Sequence, residues 1–345
     1  MKAARLVSPR EIAIFDEPAP QPGPGEVLVR VLIVAICPSD LGLFVEGHSS
    51  GVQPDHPMVQ GPEFSGVIAQ LGDGAGLELQ VGMRVAVEPS WHCGHCDLCR
   101  RGLENLCRNI IFPSFPQQDG ALREFIACPA HAVCPVPDSV GPVEAALIEP
   151  LGVAVHAVRL AGLTGGERVV IQGAGTIGLS VLQLARAAGV VAVGMVEPRE
   201  DRRELALRLG AEFVCGSWEG VSEAWGKPEE EPNVVFECSG DAAAFEQAMH
   251  ICTPAGRIVV VGIPHPDGIS FEMRVPRRKE LTVIFSRRSR SVLQESVDLV
   301  ARGTVDLTVY PVRRFPLERT QEAMETALLK PPGLLRAVVV VSDDS

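Results

Sequence analysis

Four cysteines, Cys93, Cys96, Cys99 and Cys107, fall within the stretch WHCGHCDLCRRGLENLC. Their C-x2-C-x2-C-x7-C spacing can set four thiolates around one small ion. Zinc takes four thiolates at about 2.3 Å in a closed tetrahedron. A closed shell leaves no coordination position open, so such a site folds a lobe and does not react. Ferredoxin-type runs share the first spacings. An iron–sulfur cluster and a set of unpaired buried thiols therefore stand as the alternatives.

The second constellation is RVVIQGAGTIGLSVLQLARAAG, which reads as a strand, a glycine turn and an amphipathic helix. Gly173, Gly175 and Gly178 form G-x-G-x-x-G. The first glycine permits the turn, the second lets the backbone approach a pyrophosphate, and the third allows close helix–strand packing. The helix start, at Thr176 and Ile177, offers free N–H groups to phosphate. A second strand, VVAVGMVE, ends at Glu197, about twenty residues past the glycines. A carboxylate there accepts hydrogen bonds from the adenosine ribose and repels a 2′-phosphate, which favours NAD over NADP. Arg199 and Arg202 lie close by and pull the other way. The bland alternative for Glu197 is a solvated carboxylate at a strand end.

These groups need a scaffold, and the chain supplies two kinds. Residues 1 to about 150 are short strands broken by many of the 28 prolines and 34 glycines. MKAARLVSPREIAIF reads as an edge strand, and strands follow at 27–34, 66–71 and 84–87. From about residue 151 strands and helices alternate, which predicts a parallel doubly wound sheet. A helix is expected from Glu149 to Leu160, then strands in NVVFECSG, RIVVVG and LTVIFS. The tail LLRAVVVV is a strand that returns to the first domain. The expected domains are 1–150 with 287–345, and 151–286. With 345 residues, 46% hydrophobic and 21% charged, two cores can be filled. The net charge of −12 argues against nucleic acid and anionic membranes as partners. No secretion signal or membrane span is read, so the expected location is the cytoplasm. Ten cysteines fit a reducing compartment; Cys128, Cys134, Cys215, Cys238 and Cys252 read as small core residues.

The cysteine lobe, the inserted nucleotide unit and the C-terminal return resemble the zinc-containing medium-chain alcohol dehydrogenase family, sorbitol and threonine dehydrogenases above all. ICPSD (36–40), GPEFSG (61–66), DGALREFI (119–126) and EPLGVAVHAV (149–158) stand in that family's order. The resemblance implies a GroES-like β-rich domain and a Rossmann domain, an α/β fold, with hydride transfer in a cleft between them. It implies a catalytic zinc acting as a Lewis acid. Its ligands would be Cys37, the residue after Gly61, and Glu149 or Glu63. Ser39 would take the alcohol proton and Asp40 would orient the site. On the nucleotide side it implies Gly173 to Gly178 at the pyrophosphate, Ile177 beside the cofactor, and Glu197 and Arg202 at the ribose. It also implies that backbone groups of ECSG (237–240), at the end of the fourth strand, meet the cofactor, that Val261, Gly262 and Ile263 contact its nicotinamide half, and that Arg336 lies near the pyrophosphate. A surface charge is the plain alternative for Arg336.

Two positions depart from that pattern. Pro62 stands where a ligand histidine is expected, and Gly42 where the relay histidine is expected. The remaining set, Cys37, Glu63 and Glu149, could hold zinc with a summed charge of −3. His48 and His56 of the same loop are possible substitutes or plain loop residues. If zinc is absent, Ser39, or a Glu63 carboxyl kept neutral by burial, must donate the proton. Arg287, Arg288 and Arg290 in FSRRSR suit either an anionic substrate or a solvated face.

The expected activity is NAD-dependent hydride transfer between nicotinamide and a secondary alcohol or ketone of polyol, sugar or amino-alcohol type. The rivals are a zinc-free ketone or alkene reductase and a non-catalytic nucleotide binder. The expected partner is a small-molecule substrate. A homodimer or homotetramer is expected too, with RIVVVG as an apolar sheet edge.

Overall fold

The computed structural model describes residues 1–48, 51–54, 57–116, 118–264 and 268–343. Two compact units result: Met1–Pro150 with Arg290–Ser345, and Leu151–Ser289.

The first unit is built from strands. Its opening segment is a hairpin, β1 (Lys2–Ser8) and β2 (Glu11–Asp16), where the sequence suggested one edge strand. Pro9 and Arg10 make the turn, and Arg10 takes the left-handed conformation (φ 63°) that a tight reversal requires. β3 (Glu26–Ala35) is the central strand, with nearly every residue buried. Helix α1 (Pro38–Glu46) follows, begun by Pro38 in its first turn. β4 (Met58–Val59) completes a three-stranded sheet on β1, and β5 (Glu63–Leu71) pairs along β3. β6 (Arg84–Val87), β7 (Phe125–Pro129) and β8 (Val133–Pro135) complete the N-terminal part of the main sheet. Its core includes Val29, Val31, Phe44, Phe64, Ile68 and Ile126.

Helices α2 (Pro142–Ala146) and α3 (Ile148–Ala161) lead into the second unit. There strands and helices alternate: β9 (Arg168–Gln172), α4 (Thr176–Ala187), β10 (Ala192–Val196), α5 (Glu200–Arg208) and β11 (Phe213–Cys215). After α6 (Glu219–Ala224) come β12 (Val234–Glu237), α7 (Ala242–Ile251), β13 (Arg257–Val260), α8 (Arg274–Lys279) and β14 (Thr282–Phe285). All six strands are parallel, in the order β11-β10-β9-β12-β13-β14. The order reverses between β9 and β12, and dinucleotides bind outside the carboxyl ends of strands at such a point. RIVVVG is not an edge: β13 is paired on both sides, and β11 and β14 are the outer strands.

The chain then returns to the first unit through α9 (Leu293–Ala301), β15 (Val312–Pro316), α10 (Thr320–Leu329) and β16 (Arg336–Val340). β16 pairs antiparallel to β3 and closes the seven-stranded sheet. Among the described residues no helix is long and apolar enough to cross a membrane.

Candidate functional site

The cysteine lobe converges. The sulfurs of Cys96 and Cys99 are 3.4 Å apart, those of Cys93 and Cys107 3.5 Å, Cys96 and Cys107 3.9 Å, and Cys93 and Cys99 4.0 Å. A tetrahedron with bonds of about 2.3 Å has edges of about 3.8 Å, so the four sulfurs fit one zinc ion. A multi-iron cluster needs its sulfurs farther apart. Backbone N–H groups of Cys93 and Asn109 donate to Cys107 Sγ at 3.3 and 3.4 Å, and that of Cys99 to Cys96 Sγ at 3.4 Å. Such donors favour thiolate, and the His95 backbone N–H above all holds the Cys93 thiol down to about 6.

In the second unit the glycine turn is required by its neighbours. Gly173 has φ 95°, and a Cβ there would lie 3.0 Å from the Ser239 backbone. A Cβ on Gly178 would lie 1.9 Å from the Gly173 carbonyl oxygen. At Gly175, the N-cap of α4, a Cβ would meet nothing within 4 Å, so this position is open for the approach of a ligand. Thr176 is buried and Ile177 half-buried at the helix start. Glu197 is buried and tied down: one oxygen accepts from the Ala174 N–H at 2.8 Å and the other from the Arg199 N–H at 2.9 Å. It is therefore not a freely solvated strand-end group. Arg199 pairs with Asp201 at 2.8 Å. Arg202 is partly buried beside the Glu197 charge; burial lowers its pKa. Gly262 admits no side chain, and Ile263 is 83% exposed. The donor set and the shape fit a dinucleotide.

The first unit brings Cys37, Ser39, Asp40, Glu63 and Arg336 together. Cys37 is the N-cap of α1. Its N–H donates to Asp40 Oδ2 at 2.9 Å, and the Ser39 hydroxyl donates to its sulfur at 3.1 Å. Burial, then the Asp40 charge, pushes the Cys37 thiol up to about 11, and Glu149 adds to this. Asp40 is almost fully buried. Its Oδ1 accepts from the Gly61 N–H at 3.0 Å and from the Ser114 hydroxyl at 2.7 Å. Burial raises its pKa while these donors oppose the rise. Ser114 had no mark in the sequence; it reaches Asp40 across 74 residues from a left-handed conformation, φ 70°.

Glu63 and Arg336 form a buried ion pair, with side chains 4% and 8% exposed. Two of the alternatives read from the sequence do not hold. Arg336 is not a surface charge; it opens β16 in the interior of its unit and faces Glu63. Glu63 has a cation against it, so the condition that would have kept it a neutral proton donor is not met.

A second zinc does not fit these residues. Pro62 is buried and has no donor atom. Glu63 is engaged with Arg336. Among the described residues the only group of three or more His, Cys, Asp and Glu that could hold a metal is the four-cysteine lobe. Glu149 is buried in the first turn of α3. His48 is half-exposed, and its Nδ1 accepts from the Gly51 N–H at 3.3 Å; His56 lies outside the described residues. Gly42 is exposed, with nothing within 4 Å of a Cβ. Arg287 is exposed, and Arg288 and Arg290 are half-buried.

Comparison with known proteins accords with this geometry. Residues 23–138 match the alcohol dehydrogenase GroES-like domain, and residues 176–302 the zinc-binding dehydrogenase domain. Sorbitol dehydrogenase of Bacillus subtilis (strain 168) is 33% identical over 333 residues, 95% of this chain and 94% of that protein. A zinc-binding dehydrogenase from Sinorhizobium meliloti 1021, solved bound to NADP, superposes with a TM-score of 0.87 at 29% identity, covering 99% of both chains. An alcohol dehydrogenase from Escherichia coli CFT073, solved with NADH, gives 0.90 at 26% identity, again over 99% of both. The fold, the cysteine lobe, the glycine turn and these likenesses agree: the chain belongs to the zinc-type medium-chain alcohol dehydrogenase family, oxidoreductases of the alcohol and polyol type that use a nicotinamide nucleotide.

Proposed function

We propose that the protein is an NAD-dependent dehydrogenase of secondary alcohols of polyol, sugar or amino-alcohol type, with one structural zinc and no catalytic zinc. The observation that carries the nucleotide half is Glu197. A buried carboxylate held by the Ala174 and Arg199 amides cannot swing away from a 2′-phosphate, so the cofactor with a free ribose hydroxyl is preferred. Gly173 to Gly178 would hold the pyrophosphate on the α4 N-terminus, with Thr176 and Ile177 beside it. Gly262 and Ile263 would flank the nicotinamide, which when bound supplies the hydride acceptor.

In the first unit, Ser39 is the exposed hydroxyl of the centre and would exchange a proton with the substrate oxygen. Cys37 is a protonated thiol at neutral pH and accepts from Ser39. Asp40 holds the Cys37 and Gly61 amides in place, and the Glu63–Arg336 pair sets the fixed charge behind them. In the cysteine lobe, zinc would serve folding alone. Ten free cysteines suit a reducing cytoplasm. A dimer or tetramer is proposed by analogy, with β14 as the exposed sheet edge.

The departures at Pro62 and Gly42 also support a second reading, a zinc-free reductase of ketones or alkenes on the same scaffold. The test is NADH formation across a panel of polyols, sugars and amino-alcohols, and NADH oxidation with ketones and alkenes. Each is run before and after chelator dialysis that leaves the circular dichroism unchanged. Turnover with NAD that survives dialysis is expected. Dinucleotide binding without turnover on any substrate would make the protein a binder. Turnover abolished by dialysis with the lobe zinc retained would restore a catalytic metal.

A further inference from the structure

We infer that Glu237 is a positioning residue of the nicotinamide half, and that its charge favours the oxidised cofactor over the reduced one. The inference rests on the dinucleotide reading above.

Glu237 is the last residue of β12 and is 2% exposed. One oxygen accepts three hydrogen bonds: from the Ser239 N–H at 2.7 Å, the Ser239 hydroxyl at 2.5 Å and the Gly240 N–H at 2.9 Å. Three donors on one oxygen fold residues 238–240 back over the strand end. The other oxygen points at the next strand: a Cβ on Gly262 would lie 2.6 Å from Oε2. The Glu237 carbonyl oxygen also accepts from the Val261 and Gly262 N–H groups, at 2.8 and 2.9 Å. The folded turn in turn meets the glycine loop, since a Cβ on Gly173 would lie 3.0 Å from Ser239. Glu237 thus holds the turn after β12 with its carboxylate and the end of β13 with its carbonyl oxygen, and that turn lies against the glycine turn after β9.

Those ends are where a dinucleotide binds. The sheet has two halves, and the order reverses between β9 and β12. The half carrying the glycine turn and Glu197 takes the adenosine; the half made of β12, β13 and β14 takes the second nucleotide. A nicotinamide ring is cationic when oxidised and neutral when reduced. A buried negative charge beneath its half of the site stabilises the cation selectively, because the interior screens charge poorly. A purely structural carboxylate would affect both forms alike.

The test needs no substrate. Dissociation constants for NAD⁺ and for NADH are measured by fluorescence titration for the wild type, Glu237→Gln and Glu237→Asp. Gln keeps the shape and loses the charge. The expected result is a loss of NAD⁺ affinity of roughly three- to tenfold beyond any change for NADH. Asp keeps the charge and loses the reach, so both forms should weaken together and their ratio should stay within about twofold of wild type. Equal shifts for the two forms in the Gln variant, or no shift, would overturn the inference. If the Gln variant does not fold, the Asp variant decides: a changed ratio there overturns it. A wild type that binds neither form would instead sink the dinucleotide reading itself.

Discussion

A buried carboxylate survives only where donors meet it, and Asp40 has the Cys37 amide, the Gly61 amide and the Ser114 hydroxyl. Ser114 also accepts from the Gly61 N–H at 3.1 Å, so one hydroxyl joins the loop near residue 114 to both other segments of the centre. It holds this position at φ 70°, a conformation that costs a non-glycine residue about 1 kcal/mol or more. Two substitutions separate donor from strain. Ser114→Ala should destabilise the protein by about 1–3 kcal/mol, the cost of a donor lost from a buried charged acceptor. Ser114→Gly loses the same donor but relieves the backbone, so urea unfolding should show a smaller loss. A glycine variant as unstable as the alanine variant would contradict the strain, and no loss in either would contradict the role of the hydroxyl.

At the scale of elements, much was legible in the sequence. The helix expected at Glu149–Leu160 is α3, Ile148–Ala161, and the strand expected at 84–87 is β6. Spacing also carried the cysteine lobe and the glycine turn, because their partners are close along the chain. RIVVVG was misread as an edge because a short apolar run says that a strand is buried, not which strands lie beside it. The pair of Glu63 with Arg336 and the reach of Ser114 to Asp40 were hidden for the same reason: they join segments distant in sequence. The glycine turn supplies this scale's prediction. A Cβ 1.9 Å from a backbone oxygen cannot be absorbed by a side-chain shift, so Gly178→Ala must move α4 off β9. Overpacking of this kind costs about 1–3 kcal/mol, and NADH binding measured by fluorescence should be lost. A variant that binds NADH as the wild type does would contradict the tight turn.

At the scale of the molecule, the two units divide the work. The nucleotide unit has the parallel sheet, the glycine turn and a buried acid, Glu197, just past β10. The β-rich unit carries the four-cysteine lobe and, apart from it, Pro62, the buried Glu63–Arg336 pair and an Asp40 that accepts from Ser114. Our proposal is a dehydrogenase scaffold that carries one metal, for folding. The direct test is zinc per chain by elemental analysis of the purified protein, compared with a variant carrying Cys96→Ser and Cys99→Ser in the lobe. One zinc per chain, lost with the lobe thiols, is the predicted result. Two zincs per chain, one of them retained when the lobe cysteines are replaced, would contradict the account and return a catalytic metal to Cys37.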